Sequence, residues 1–101
     1  MSVNVYVRNL SNEAVTSDLE DLSAQVGPTE LIHIADEAQA ILPSAYLAEL
    51  GIDPTEKLGV IQMASEKRAN QLVELLHGAI LLGRVLVAMG PHGGIGPKIP
   101  K

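Results

Sequence analysis

Cysteine, phenylalanine and tryptophan are absent from this chain of 101 residues, and its two aromatic rings belong to Tyr6 and Tyr46. Without cysteine there is no disulfide framework and no thiolate metal site. With two rings, the core has to be built from aliphatic side chains. Positive charge is also scarce. Up to Gly90, five bases (Arg8, Lys57, Lys67, Arg68 and Arg84) stand against twelve acids, a balance of -7, and the whole chain carries -5. Strong nucleic-acid binders show a basic footprint, so any contact with a polyanion has to come from a local patch. No apolar run approaches the roughly 18 residues of a membrane span. The N-terminus also lacks the basic stretch and long apolar run of a secretory leader. The expectation is a cytoplasmic protein with no membrane partner.

Catalytic and metal signals are equally thin. His33, His77 and His92 are far apart and lack metal-ligand spacing. Asp18, Glu20 and Asp21 fall at a helix start, where acids favour the dipole. General acid–base work needs a pocket and a partnered group, and no segment supplies them. The glycine-rich residues 90–98 lack the Lys-Ser/Thr ending of a phosphate loop, and no helix follows. The expectation is therefore a non-enzymatic protein without metal or cofactor.

What is present is an ordered alternation of short elements. Nearly half the residues are hydrophobic (47 %), enough for one domain with a real core. Val3–Arg8 alternates as a strand does. Ser17 and Glu20 form a capping box, Leu19, Leu22 and Val26 give one apolar helical face, and Gly27-Pro28 stops it. Residues 29–35 form a second strand. Residues 36–56 are too long for a plain loop, and Ser44–Leu50 inside them predicts a short helix. Ser44 caps that helix, Gly51 ends it, and Tyr46, Leu47 and Leu50 are its apolar side. Residues 57–63 are a third strand. Ser65 opens a helix with Ala69, Leu72, Val73 and Leu76 on one stripe, and residues 83–89 form a last strand. From Gly90 a Gly/Pro-rich tail of residues 90–101 is expected to be flexible, beside a folded domain of residues 1–89. Strand, helix, strand, strand, helix, strand is the ferredoxin-like α+β order. It predicts a four-stranded antiparallel sheet with two helices on one face, plus an extra short helix between strands two and three.

These segments carry a family resemblance. Val5-Tyr6-Val7-Arg8-Asn9-Leu10 matches the six-residue strand motif of the RNA recognition motif family. Leu19 to Gly27 looks like its first helix. Ala69, Leu72, Val73, Leu76 and Gly78, followed by Gly83-Arg84-Val85-Leu86, are similar to its second helix and final strand. The eight-residue motif on the third strand departs. Glu56 and Lys57 stand where the family has a base and a glycine, and Leu58 and Val60 stand at its two exposed aromatic positions. Gly59, Ile61 and Met63 keep the small and inward places. The connector after Ala35 exceeds the family's usual loop.

The resemblance implies single-stranded RNA as partner, held across the open sheet face with weak or moderate affinity. Strand alternation predicts an apolar face of Tyr6, Leu58, Val60, Val85 and Val87, rimmed by Arg8, Gln62 and Arg84. Tyr6 would stack a base, a contact of roughly 1–3 kcal/mol. Leu58, Val60 and Val87 would give apolar contact. Arg8, Lys57, Gln62 and Arg84 would meet phosphates or base edges, with the tail closing over the strand. An exposed apolar face also fits an interaction or homodimerisation domain with a protein partner. A third occupant is the chain itself, through Ser44–Leu50 or through Ile95 and Ile99.

Overall fold

The computed structural model describes residues 3–90; of the tail expected over residues 90–101, residues 91–101, with Ile95, Lys98, Ile99 and Lys101, lie outside the described residues. Its elements are β1 (Val3–Arg8), α1 (Thr16–Ser23), β2 (Leu31–Ala35), a 3-10 turn (Ala38–Ala40), α2 (Ser44–Leu50), β3 (Leu58–Met63), α3 (Glu66–Leu76), β4 (Ile80–Leu81), β5 (Arg84–Val85) and β6 (Val87–Met89). The main sheet has the order β2-β3-β1-β6 and is antiparallel throughout. This is the expected ferredoxin-like arrangement, with α2 as the expected extra helix between β2 and β3.

Register explains the two faces. Val5 pairs with Ile61, Val7 with Gly59 and with Ala88. Their side chains join Leu19 of α1 and Ala69, Leu72, Val73 and Leu76 of α3 in an aliphatic core. Helix α3 starts as expected: the Ser65 hydroxyl accepts from the Arg68 N–H at 3.2 Å, which satisfies one of the orphan donors of the first turn. Gly59 of β3 faces the Leu19 side chain of α1. A Cβ there would sit 2.9 Å from Leu19 Cδ1 and 3.3 Å from Leu10 Cδ1.

Several boundaries differ from the sequence expectation, among them the end of α1, which comes at Ser23 and leaves Val26 beyond the helix. Helix α1 starts at Thr16, so Ser17 lies inside the first turn and does not cap it. The Asp18 carboxylate instead reaches back to accept the Val15 N–H at 2.9 Å. In α2, Ser44 is the first helical residue and Pro43 is the cap, without a side-chain bond; the fixed φ of proline suits that entry. Gly51 closes α2 as expected, at φ 77°. The last strand is divided. Leu82 (φ 51°) and Gly83 (φ 81°) make a two-residue turn, so Arg84 and Val85 pair with Leu81 and Ile80 rather than with the main sheet. Two positive φ values in succession define the tight hairpin turn whose twist matches its strands. Leu86 and Ala88 still point into the core, as the alternation predicts.

Candidate nucleic-acid interface

The second face of the sheet is where the sequence predicts an open platform, and the insertion between β2 and β3 fills it. Tyr6 (3 % exposed), Leu58 (0 %) and Met89 (0 %) form a second apolar cluster with Ala38, Leu47, Leu50 and Ile52. Ile41, Leu42, Tyr46 and Val60 pack around it. Of the three occupants considered for this face, the chain itself is the one in place. The expectation that Tyr6 and Leu58 stand exposed for bases is therefore corrected: both are buried under α2. Val60 is half-buried at the margin of the same cluster.

The insertion is tied down at several points. Ala38 N–H donates to the Glu56 carbonyl at 2.8 Å and Gln39 N–H to the Pro54 carbonyl at 2.9 Å. Asp53 turns the chain back: its carboxylate accepts from the Thr55 N–H at 2.8 Å and the Thr55 hydroxyl at 2.7 Å. Those bonds favour the ionised form and hold Asp53 below the usual carboxylate range. The Arg8 guanidinium grips Glu56 with two bonds, Nε to Oε2 at 3.1 Å and Nη2 to Oε1 at 3.0 Å. Six large side chains (Tyr6, Leu47, Leu50, Ile52, Leu58 and Met89) leave water in this cluster. At about 1.5–3 kcal/mol each, their burial contributes on the order of 10 kcal/mol before the entropy of ordering the segment is counted. One base stacked on Tyr6 offers roughly 1–3 kcal/mol. A base can reach Tyr6 only after the insertion is displaced, so this face acts as a second core.

The polar candidates converge beside that core. A cleft of about 470 Å³ is lined by Arg8, Asn9, Leu10, Asp53, Glu56, Lys57, Arg84 and Val87. Four residues nominated from the sequence, Arg8, Lys57, Arg84 and Val87, meet here from three separate stretches of chain. Lys57 Nζ donates to the Asn12 carbonyl at 2.8 Å. Arg84 donates through Nε to the Asn9 carbonyl at 3.2 Å and through Nη2 to Asn9 Oδ1. These partners are neutral oxygens, and both cations have N–H donors to spare. Gln62 lies elsewhere: it pairs with Asn4 and Leu31, four residues along β3 from Leu58.

Sequence reasoning missed three contributors. Asn9 is assigned as a turn-former, and it is one, at φ 63°; its side chain also donates to the Val85 carbonyl at 2.7 Å and orients Arg84. Asp53 and Glu56 bring negative charge to the same cleft. A signal for Glu56 existed, because alternation places it with Leu58 on the same side as Arg8.

No protein-family model matches the sequence, and no curated protein matches it. Solved structures do match. The RNA binding protein PG1 superposes with a TM-score of 0.64 at 20 % identity, covering 98 % of this chain and 99 % of that one. The second RRM domain of the yeast poly(U)-binding protein Pub1 gives 0.63 at 16 % identity, over 87 % and 92 %. The RRM of Rna15 with bound RNA (GU) gives 0.57 at 16 % identity, over 85 % and 79 %. At these identities the likeness is one of fold.

Proposed function

From the RNA recognition motif fold that this chain carries, we propose an RNA-binding module in which the contact surface is the rim cleft and not the sheet centre. Single-stranded RNA crosses the end of the sheet at Arg8, Lys57 and Arg84. The two cations with neutral partners take phosphate oxygens, and Val87 offers an apolar contact to a base or sugar. The observation that carries this reading is the convergence of these four residues in one cleft of a chain that is otherwise acidic. An acidic body repels a polyanion, so binding is weak to moderate and falls steeply with salt. Known structures of the same fold that hold RNA supply the precedent for the ligand class. The protein works without catalysis, and its place in the cell is proposed to be the cytoplasm.

The test is a titration with short single-stranded RNAs of mixed sequence at low and moderate salt, followed by backbone amide shifts. Saturable shifts at Arg8, Asn9, Lys57, Arg84 and Val87, weakening as salt rises, are the expected result. Absence of any shift at high micromolar RNA and low salt overturns the reading. Shifts centred on Tyr6 and Leu58 instead place RNA on an uncovered sheet, and would replace the rim by the platform.

A further inference from the structure

The cleft contains its own anion. Of its three cations, Arg8 is the one engaged by a carboxylate among the described residues, and in the two-pronged geometry by which guanidinium also takes phosphate. The pair is accessible at the surface, with side-chain exposures of 26 % for Arg8 and 23 % for Glu56. Glu56 is also the last residue of the β2–β3 insertion before Lys57, so the group that engages Arg8 belongs to the segment covering the sheet. Its Oε1 additionally accepts the Asp53 N–H at 3.0 Å, within the turn that leads into β3.

We infer that Glu56 is an internal competitor for the RNA phosphate that Arg8 would otherwise bind, so that the rim site is partly self-occupied in the free protein. This rests on the RNA-binding reading of the cleft. Ligand phosphate and Glu56 carboxylate present equivalent oxygen pairs to the same Nε and Nη2 donors, and only one of them fits at a time. The cleft as built holds three cations and two carboxylates, one net positive charge. Loss of the Glu56 charge leaves two and frees a bidentate donor. It also cuts the electrostatic tie between the rim and the insertion, which makes RNA binding and the hold on the segment opposing events at one guanidinium.

Glu56→Gln is the informative change, because glutamine keeps an oxygen for the Asp53 N–H while removing the charge. Its affinity for a short single-stranded RNA of mixed sequence is expected to rise about three- to tenfold at low salt. The slope of log K against log salt should steepen by about 0.7, the increment for one more phosphate on a single strand. In an Arg8→Gln background the same change should give no gain. Equal or weaker binding by Glu56→Gln, with the parent protein still binding, overturns the competition and leaves the rim reading intact. A gain that persists without Arg8 overturns it too, because the effect is then general charge. Binding by neither protein removes the rim reading itself. A measurement on the unmodified chain guards against a variant that does not fold: the Arg8 Nε–H resonance should move saturably as RNA is added, and an unmoved resonance at saturation rejects the exchange of partners.

Discussion

The rings of Tyr6 and Tyr46 form a T-shaped pair, with centroids 6.3 Å apart and planes at 77°. The only two aromatic side chains of the protein thus meet each other across the insertion. In a T-shaped pair the positive edge of one ring faces the negative face of the other, worth about 0.5–1.5 kcal/mol beyond area burial. The ring that the sequence offers to a base is already in use within the fold.

Truncating Tyr6 should therefore read out as stability. Tyr6→Ala is expected to cost about 3 kcal/mol, the lower end of the range for removing a buried aromatic. The loss should appear as a lower urea midpoint and as faster proteolysis within residues 36–56. RNA affinity of the folded fraction should stay within about twofold if the rim is the site. A large drop in affinity with unchanged stability would return Tyr6 to the role of a stacking platform.

Arg84 gives the converse behaviour. It is exposed and, among the described residues, held by Asn9, so Arg84→Gln should change stability by no more than about 0.5 kcal/mol. RNA binding should weaken and the salt slope should fall by about 0.7. Fluorescence anisotropy at several salt concentrations measures both quantities, and an unchanged slope would take Arg84 out of the interface.

The insertion should also respond to alkaline pH. Desolvation chiefly, with Tyr6 and Glu49 adding to it, raises the Tyr46 phenol above its ordinary value near 10. As pH climbs past about 10 the unfolded chain releases this proton first while the native state retains it. The contribution to stability is therefore complete below that pH and declines through the window between the unfolded and native values. Denaturation midpoints measured across this range should fall more for the parent than for Tyr46→Phe. Parallel curves would show that Tyr46 ionises alike in both states.

Gly59 tests the packing on the helical side. Gly59→Ala sets a methyl 2.9 Å from the end of the Leu19 side chain, which is fully buried. Leu19 can shift only within a filled core, so a loss of about 1–3 kcal/mol is expected in equilibrium unfolding. No measurable loss would mean that the α1 side of the core yields more readily than its packing implies.

Much of this architecture is legible in local pattern. The alternation of Val5, Tyr6 and Val7 assigns one side chain to each face, and the structure has Val5 and Val7 in one cluster and Tyr6 in the other. Gly51 ends α2 through its own backbone geometry and Ser65 opens α3 through its own hydroxyl, so both signals are local. What escapes is non-local. Nothing between Ser44 and Leu50 states that Leu47 will rest on Tyr6, Leu58 and Met89, since an amphipathic helix needs only some apolar partner. The turn at Leu82 escapes for the opposite reason, as leucine is an uncommon residue at positive φ and carries no turn signal. Arg8, Lys57 and Arg84 are legible one by one as exposed cations, while their meeting in one cleft and the Arg8–Glu56 pairing need the fold.

Because the sheet is covered on both sides, β1 and β3 belong to two cores at once, while the insertion belongs to only one. Amide hydrogen exchange in this molecule should then be graded. The backbone groups of Ala38, Gln39 and α2 can open with the second cluster alone, in a partial unfolding event. Those that join Val5 to Ile61 and Val7 to Gly59 open only when both halves fail together. The pairing of β1 with β3 is thus expected to be the slowest-exchanging part of the described structure.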